Sequence, residues 1–583
     1  MRGVISAGLL ACLSGLCGVM GCGSDDPQPV PEITIGGGSD SPDPGPDETA
    51  AEAVPATDGA ESTEKALEAI GATFTRDSDG TIRSISCYRN KRLTDRHLGH
   101  IAEYDQLAAL DLRATGLTDI GLKHVAGLQG LEQLYLGGTQ VTADGLASLK
   151  DLTNLKVLNL QDLPVDAQSY TSHLGGLANI SRLNLAGTAF DDQGLQTLAE
   201  LKNLQALVLP PAVTAAGLVH LAGHIRLETL VLDKTGVTDE GLPALSPLAA
   251  LKQLSLRNTR VTLEGICRLS APRTGLNIAF DQGTLTDGEL VLFRNNGDDD
   301  LAAVAGLNQL KVLKLDDTSV SDPGLAHLSK MFNLQQLVLP RSISDKGLIH
   351  LSRLSGLKRL AAPGQKITGD GLKSLESLSA LEELSIDDSQ VDDAGLAHLG
   401  RFGNLQRLSC RRTKITDSGL KHLTNLSLLQ TLRLDHNRIT DKGLAHLAGL
   451  PNLRRLTLVR TQITGSGLET LRRLTRLELL DLGGTTVSSA DLQSLKAALP
   501  GCEIRFPVDP LVSALQANGN KLAEALEQVG SIKQDRGEIT AINVKQRRFS
   551  DTALNRLRGL KQVERLSLSG TKVTDDGLAA LSG

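Results

Sequence analysis

The sequence predicts an α/β solenoid in which units of one strand, one turn and one short helix stack side by side. Two observations lead to this fold class. A pattern of the form L-x-x-L-x-L-x-x-T-x-[VI]-T-D-x-G-L-x-x-L-x-x-L-x-x recurs in about nineteen units. The leucine that follows its glycine returns mostly every 24 residues, at Leu98, Leu122, Leu146, Leu195, Leu218, Leu242, Ile266, Leu290, Leu325, Leu348, Leu372, Leu396, Leu420, Leu444, Leu468, Leu492, Leu554 and Leu578.

Each unit contains the signals of its own elements. Leu456 and Leu458 alternate with polar residues, which predicts a strand with one buried face. In the unit before, "GLAHLAGL" (443–450) places leucines at helical spacing. Thr440 and Asp441 supply a cap and a negative charge at the start of that helix. One unit cannot bury its leucines alone, so the units must stack.

This pattern resembles the leucine-rich repeat, and it is similar to the ribonuclease-inhibitor-like and cysteine-containing subtypes that include F-box proteins. The resemblance covers residues 93–583 apart from two interruptions. It implies a right-handed horseshoe with a parallel sheet on the concave face and short helices on the convex face. Threonine mostly stands where other repeats carry Asn or Cys, and we expect its hydroxyl to bond the backbone of the turn. These positions are Thr115, Thr139, Thr188, Thr235, Thr259, Thr318, Thr413, Thr461, Thr485 and Thr571, with Asn437 as the exception.

The N-terminus predicts export and a lipid anchor. Residues 1–21 have one Arg followed by an apolar run of about fifteen residues, which is typical of a secretory signal. Val19-Met20-Gly21-Cys22 resembles the lipobox of bacterial lipoproteins, in which the cysteine is lipidated. Cys17 follows Leu16, a poor residue before a cleavage site, so Cys22 is preferred; an ordinary cleaved signal is the alternative. The resemblance implies a protein on the outer membrane or the periplasmic face of the bacterial envelope.

Composition and repeat spacing predict how the rest of the chain is divided into a tether, caps and repeat arrays. Residues 22–64 carry eleven acidic residues, no Lys or Arg and many prolines, which predicts an extended tether. We expect an N-terminal cap at 65–92 and the main solenoid at 93–507, with an irregular segment at 268–309 in which "RNNGDDD" (294–300) loops out. Residues 511–583 predict a second cap and an incomplete array, because 526–551 parallels 67–95. That array either docks on the first or belongs to a longer natural chain.

Nine of the twelve histidines occupy one position, two residues after the repeat leucine: His100, His124, His173, His220, His327, His350, His398, His422 and His446. Such a column points away from the core and offers at most two ligands at any point, whereas zinc needs three or four. We therefore predict scaffolding, with no metal and no cofactor. Cys87, Cys267, Cys410 and Cys502 show no CxxC spacing and are predicted to be small buried residues.

Arginines on the predicted concave face are the candidate site. Stacked strands should bring them together with neighbouring carboxylates, and arginine suits interfaces and anionic groups. The predicted patch is Arg407, Arg411, Arg433, Asp435 and Arg455, with Arg359, Glu383 and Asp387 beside it. A ladder of Arg and Asp that satisfies itself is the competing interpretation.

The sequence therefore predicts a binding protein rather than an enzyme. No GxSxG, HExxH, P-loop or Rossmann pattern occurs, and a net charge of −7 argues against nucleic acid. The leading hypothesis is a lipid-anchored module that binds a protein or glycan on its concave face, where the arginines favour an acidic partner. The alternatives are the non-catalytic recognition part of a longer or multi-subunit enzyme, and an F-box-like ubiquitin-ligase adaptor, which the signal peptide disfavours. Oligomeric state is not predicted.

Overall fold

The computed structural model describes residues 60–506 except 274 and 488, then 522–535, 538–544, 549, 554, 557, 560, 562–571, 573 and 578. The predicted signal peptide, Cys22 and the tether up to residue 59 lie outside these residues. Contacts divide the chain into two units, Met1–Leu292 and Phe293–Gly583. No helix among the described residues has the length and hydrophobicity that a membrane span requires.

The first unit contains a ladder of short strands. Thr73–Arg76 pairs antiparallel with Ile82–Ser86, which then begins a parallel series in which every strand pairs with the next. The series continues through Ala109–Asp111, Gln133–Tyr135, Val157–Asn159, Arg182–Asn184, Ala206–Val208, Thr229–Val231, Gln253–Leu256 and Asn277–Phe280. The middle residue of each three-residue strand is a leucine that meets the leucine of its neighbour, such as Leu110 and Leu134.

The second unit repeats this arrangement with a ladder of strands that are parallel and in register. Its strands are Val312–Lys314, Gln336–Val338, Arg359–Ala361, Glu383–Ser385, Arg407–Ser409, Thr431–Arg433, Arg455–Thr457, Leu479–Asp481 and Glu503–Arg505. A separate three-stranded sheet joins Gly530–Asp535, Glu538–Val544 and Arg565–Ser567.

One short helix or helical turn lies between most strands. The α-helices are Ala60–Ala69, Asp95–Ile101, Asp119–Val125, Ala167–Leu174, Leu263–Ser270, Asp298–Val304, Asp345–Leu348, Gly369–Ser374, Asp393–Leu399, Asp417–Leu420, Asp441–Leu447, Leu468–Leu471, Ser489–Ala498 and Leu522–Val529. The 3₁₀ helices are Gly145–Leu149, Gly194–Glu200, Gly217–Leu221, Asp239–Leu245, Pro323–Lys330, Ile349–Leu351, Lys421–Leu423 and Gly465–Gly467. The predicted α/β leucine-rich-repeat solenoid is confirmed.

Leucine fills the space between the strands and the helices. Leu432 from a strand and Leu444 and Leu447 from the following helix are fully buried, and the equivalent leucines of the other units are buried in the same way. Burying one such side chain contributes roughly 1.5–3 kcal/mol. Because every unit supplies several, the core forms with only 2% aromatic residues in the chain.

The threonine row has the predicted role. Each of its ten hydroxyls donates to the carbonyl three residues earlier, as Thr461 Oγ1 does to Leu458 O at 2.6 Å. Asn437, the exception, is 4% exposed and forms hydrogen bonds both with its own repeat, at Leu434, and with the preceding repeat, at Cys410 and Thr413. These groups satisfy the backbone of the turn, which confirms their structural assignment.

A carboxylate lock joins successive helix starts, and the sequence analysis missed it. Asp417 Oδ1 accepts from the backbone N–H of Thr440 at 2.8 Å, and Oδ2 accepts from the Thr440 hydroxyl at 2.5 Å. A Cβ on Gly443 would collide with the same carboxylate. In the part of the chain that the structure describes, ten aspartates make this pair of bonds, at positions 95, 119, 192, 239, 298, 322, 345, 393, 417 and 441.

The irregular segment differs from its prediction in two respects. Leu290 is not a helix leucine, because it lies in Glu289–Leu292, a strand antiparallel to Gly283–Thr286. Asp287 and Gly288 join these strands with φ angles of 49° and 78°, which is the geometry of a two-residue hairpin turn. The predicted loop at 294–300 is also partly wrong, since Asp298 opens a helix and bonds Ser321 as a lock residue.

The segments before the two arrays have the same order of elements. Helix Ala60–Ala69 precedes an antiparallel hairpin with a register shift at Thr75/Arg76. Helix Leu522–Val529 precedes a hairpin with a shift at Lys533/Gln534, and in both cases a parallel strand follows. The later segment has its own hydrophobic cluster around Leu526, Ile542 and Phe549. The predicted boundaries of the two caps and arrays stay predictions.

Candidate functional site

The candidate patch lies on the exposed face of the strands in the second unit. Parallel in-register pairing aligns Arg407, Thr431 and Arg455 in one row across three strands, and Ser409, Arg433 and Thr457 in the next row. Adjacent strands lie about 4.8 Å apart, so the side chains of a row are neighbours. The strand-face patch, as we name it, consists of Arg407, Arg411, Arg433, Asp435 and Arg455.

Two arginines of the patch are neutralised by carboxylates. Arg407 Nε donates to Glu383 Oε2 at 3.0 Å, and Arg359 Nε is 3.9 Å from the same oxygen. Arg411 Nε lies 3.0 Å from Asp435 Oδ2, although its N–H does not point at that oxygen, so the contact is ionic. Asp435 is 5% exposed. The ion pairs of Arg407 and Arg411 are those that a ladder of Arg and carboxylates would make.

The carboxylates at the strand ends also serve the backbone. Asp387 Oδ1 accepts from Ser409 Oγ at 2.7 Å and from the N–H of Arg411 at 2.8 Å. Asp435 Oδ1 accepts from the N–H of Val459 at 2.9 Å. These bonds fix the turn that follows each strand, so Asp387 and Asp435 are structural as well as charge-balancing.

A third ion cluster was absent from the sequence prediction. Asp388 is 8% exposed and contacts Arg412 through both carboxylate oxygens, with Arg341 Nη2 3.0 Å from Oδ2. The bond from Arg412 is the main cause that lowers the pKa of Asp388. Asp388 and Arg412 occupy the same turn position of consecutive units, with φ angles of 61° and 52°. The sequence signal that could have found this cluster is the 24-residue spacing of Asp388 and Arg412, which puts them at the same position of consecutive units.

Arg433 and Arg455 are different. Both are exposed, and neither side chain has a hydrogen bond or an ion pair within the described part of the chain. Thr457, which pairs with Arg433 across the strands, has a buried hydroxyl oxygen that lacks a described partner. The structure therefore leaves two guanidinium groups on adjacent strands available to an anionic group, while Arg407 and Arg411 of the same patch are occupied.

The turn beside these arginines adds further positive charge. Arg460 is exposed and follows the strand that contains Arg455. His436 lies on the turn before it, and its pKa is lowered, first by partial burial and then by Arg460 and Arg412. A lowered pKa keeps this ring neutral near pH 7. The positive charge of the region at neutral pH therefore comes from arginine.

The histidine column lines the helices and makes isolated polar contacts. His398 Nδ1 lies 2.6 Å from Glu376 Oε1, and Arg401 Nε lies 3.3 Å from Oε2 of the same residue. The His398 bond is the first cause that lowers the pKa of Glu376, and Arg401 adds to it. Within the described ranges, no three His, Cys, Asp or Glu residues are grouped so as to hold a metal.

The four described cysteines are buried and free, which agrees with the prediction. Burial raises the pKa of the Cys87 and Cys267 thiols to about 12. Such thiols stay protonated and unreactive. His224 is a further core residue, since it is 1% exposed and burial lowers its pKa.

Comparisons with known proteins agree with the repeat. A family model described as leucine rich repeat matches residues 427–487, and a second one matches 562–582. No curated protein matches the chain.

Three solved structures are similar at low identity. An internalin (inlF) of Listeria monocytogenes is 20% identical over 72% of this chain and 93% of its own, with a TM-score of 0.29. The protein LIC12759 of Leptospira interrogans is 20% identical over 72% and 96%, with a TM-score of 0.35. The plant peptide hormone receptor RGFR1, in complex with RGF2, is 15% identical over 87% and 92%, with a TM-score of 0.34.

Proposed function

We propose that this leucine-rich-repeat chain is a recognition module that a lipid on Cys22 holds at the bacterial cell envelope, and that its strand-face patch binds an acidic protein. The observation that carries the binding site is the exposure of Arg433 and Arg455 without a described side-chain partner, beside Arg407 and Arg411, which carboxylates already occupy. Guanidinium groups bind carboxylates through paired hydrogen bonds, which favours a partner with exposed Asp or Glu.

The strands around Arg433 and Arg455 are already ordered. Both arginines lie on strands that pair in register on each side, and Leu432 and Leu456 beneath them are fully buried. Binding therefore requires the ordering of side chains only, which lowers its entropic cost. The neighbouring Arg407 and Arg411 are each paired with a carboxylate, so their charges are already balanced within the chain.

Charge reversal of Arg433 and Arg455 is expected to abolish partner capture, because an acidic surface would then face two new carboxylates. We would place a photo-crosslinking residue at Thr431, between Arg407 and Arg455, and identify the crosslinked protein in envelope fractions. The matched control reverses Arg353 and Arg473, which are exposed near the ends of helices. Capture that survives Arg433→Glu/Arg455→Glu contradicts the proposal, and crosslinks to glycan alone assign the patch to a glycan.

Lipidation of Cys22 is supported by the sequence before it, Val19-Met20-Gly21, and by the acidic segment after it. Metabolic labelling with an alkyne fatty acid is expected to label the wild-type chain and the Cys17→Ser variant, but not the Cys22→Ser variant. The labelled chain should partition into detergent, because multiple acyl chains anchor a protein stably. Equal labelling of Cys22→Ser and wild type contradicts the proposed anchor and leaves the binding experiment unaffected.

A further inference from the structure

A basic hollow lies beside the first helix of the described chain, far in sequence from the strand-face patch. It has a volume of about 480 Å³ and lies between Glu68–Gly71 and Tyr88–Arg92. We name it the cap hollow. One wall is the end of helix Ala60–Ala69, and the other is the turn that follows strand Ile82–Ser86.

Three cations line the cap hollow without a carboxylate partner. Arg89, Lys91 and Arg92 are exposed, and none of them has an ion pair among the described residues. Other cations of this region are neutralised, since Arg76 pairs with Glu64 and Arg113 with Asp111. Glu68 is the one acidic residue among those that line the hollow. The hollow is therefore a local positive site on a chain whose net charge is −7.

The turn that carries these cations is held in place. Asn90 Nδ2 donates to Ile70 O at 2.7 Å and so joins the two walls, while Asn90 Oδ1 accepts from the N–H of Arg92 at 3.0 Å. The Tyr88 ring lies 5.2 Å from the Arg89 guanidinium carbon and 4.9 Å from that of Arg113, within the range of cation–π attraction. The backbone that carries the three cations is consequently fixed, and the Arg89 guanidinium lies against the Tyr88 ring.

From this geometry we infer that the cap hollow docks on a membrane surface by binding the phosphate groups of anionic phospholipids. Besides Tyr88, the apolar side chains that line the hollow are those of Ala69 and the half-buried Ile70. Clustered Lys and Arg attach to an anionic surface electrostatically, and each cation near the surface strengthens binding. The Tyr88 ring is half-buried and already contacts two guanidinium groups, so it is not free to insert into a membrane. The proposed contact with the membrane therefore relies on charge.

This inference rests on the proposed lipid anchor, which would bring the hollow close to a membrane. The 37 residues between Cys22 and Ala60, which the sequence predicts to be extended, would span at most roughly 120 Å, so they would keep the cap tethered to that membrane. An anchored chain would thereby make a second, salt-sensitive contact with the same membrane. The contact itself does not require acylation, so it is testable separately.

The test uses the full chain with Cys22→Ser, which removes the proposed acylation site, and sedimentation with vesicles of phosphatidylcholine with or without phosphatidylglycerol. We expect binding only to the anionic vesicles and a loss of roughly 100-fold in Arg89→Glu/Lys91→Glu/Arg92→Glu. The control Arg353→Glu/Lys421→Glu/Arg473→Glu, at exposed positions outside both surfaces, changes the net charge equally and should bind like the parent. Binding should weaken as salt rises, because exposed charges are screened.

Two results would overturn the inference. Equal binding of the cap variant and the parent would show that the hollow is not the contact. Loss of vesicle binding at low concentrations of inorganic phosphate, at constant ionic strength, would assign the hollow to free phosphate instead of a lipid surface. Neither result bears on the labelling of Cys22, so failure of the docking and failure of the anchor are distinguishable.

Discussion

Replacement of Asn437 by leucine is expected to destabilise the repeats on both sides of it by roughly 3 kcal/mol or more. The side chain is 4% exposed and makes four hydrogen bonds. Oδ1 accepts from the N–H and the hydroxyl of Thr413 at 3.0 and 2.9 Å, and Nδ2 donates to Cys410 O at 2.6 Å and Leu434 O at 3.0 Å. Leucine has a similar size but leaves buried polar groups unsatisfied, each at a cost of about 1–3 kcal/mol.

The matched control is Asn437→Thr, for which we expect a loss of less than about 1 kcal/mol. A threonine at this position can donate to Leu434 O, as Thr461 does to Leu458 O in the next unit. The N–H of Thr413 can then return to the bond that its counterparts make, such as Thr461 N–H with Leu458 O at 3.3 Å. Comparison of Asn437→Leu with Asn437→Thr therefore distinguishes the effect of the lost hydrogen bonds from the effect of replacing asparagine.

Hydrogen exchange in the native state is the appropriate measurement, because a long repeat array need not unfold in one step. Protection of the segment 410–437 should fall strongly in Asn437→Leu and only slightly in Asn437→Thr. Protection around Leu110 and Leu134, in the first unit, should not change. If the two variants lose equal protection, the four hydrogen bonds do not account for the role of Asn437.

The repeat made much of the fold predictable, because one unit can be interpreted from its own spacing and every other unit then follows. Leucine spacing predicted the strand and the helix of each unit, and the threonine and cysteine positions were correctly assigned to scaffolding. The hairpin was missed because "TDGEL" (286–290) resembles "T-D-x-G-L" with its glycine one place early. That shift puts Asp287-Gly288 in a two-residue turn and Leu290 in a strand.

The candidate site was predictable in place but not in detail. The position of arginines on the strand face follows from the alternation of the strand. Which of them are free depends on contacts across units, such as Arg407 with Glu383 and Arg411 with Asp435, 24 residues apart in each case. A pattern within one unit does not contain these contacts. The same limit hid the carboxylate lock, whose partners also belong to successive units.

The carboxylate lock can be recognised in the sequence as an aspartate that is followed by a glycine 26 residues later. Asp417 is followed by Gly443 at this distance, and a Cβ on that glycine would occupy the space of the carboxylate. Ala143 stands at an aspartate position, and Ser169 stands where the next glycine would be. Gly465 and Asp491 exchange the two roles, since a Cβ on Gly465 would collide with Asp491. The two positions thus share one space, and their residues depend on each other.

A double-mutant cycle at Asp417 and Gly443 is expected to show this dependence directly. Gly443→Ala should cost roughly 2–4 kcal/mol, because the new methyl group displaces a carboxylate that is held by two hydrogen bonds to Thr440. Asp417→Ala should cost about 2 kcal/mol, since the N–H and hydroxyl of Thr440 lose their acceptor. In the double variant the methyl group enters the space that the carboxylate left. The double variant should therefore lose less stability than the sum of the two single variants, by about 1 kcal/mol or more.

Gly403→Ala is the control for glycine replacement as such. A Cβ on Gly403 would meet nothing within 4 Å, so a change within about 0.5 kcal/mol is expected. Local stability can be read from exchange protection of the helices Asp417–Leu420 and Asp441–Leu447, which the lock connects. Additive losses in the cycle would mean that Gly443 is required for its backbone alone. A shortfall from additivity would mean that the Asp–Gly pair encodes the contact between one repeat and the next.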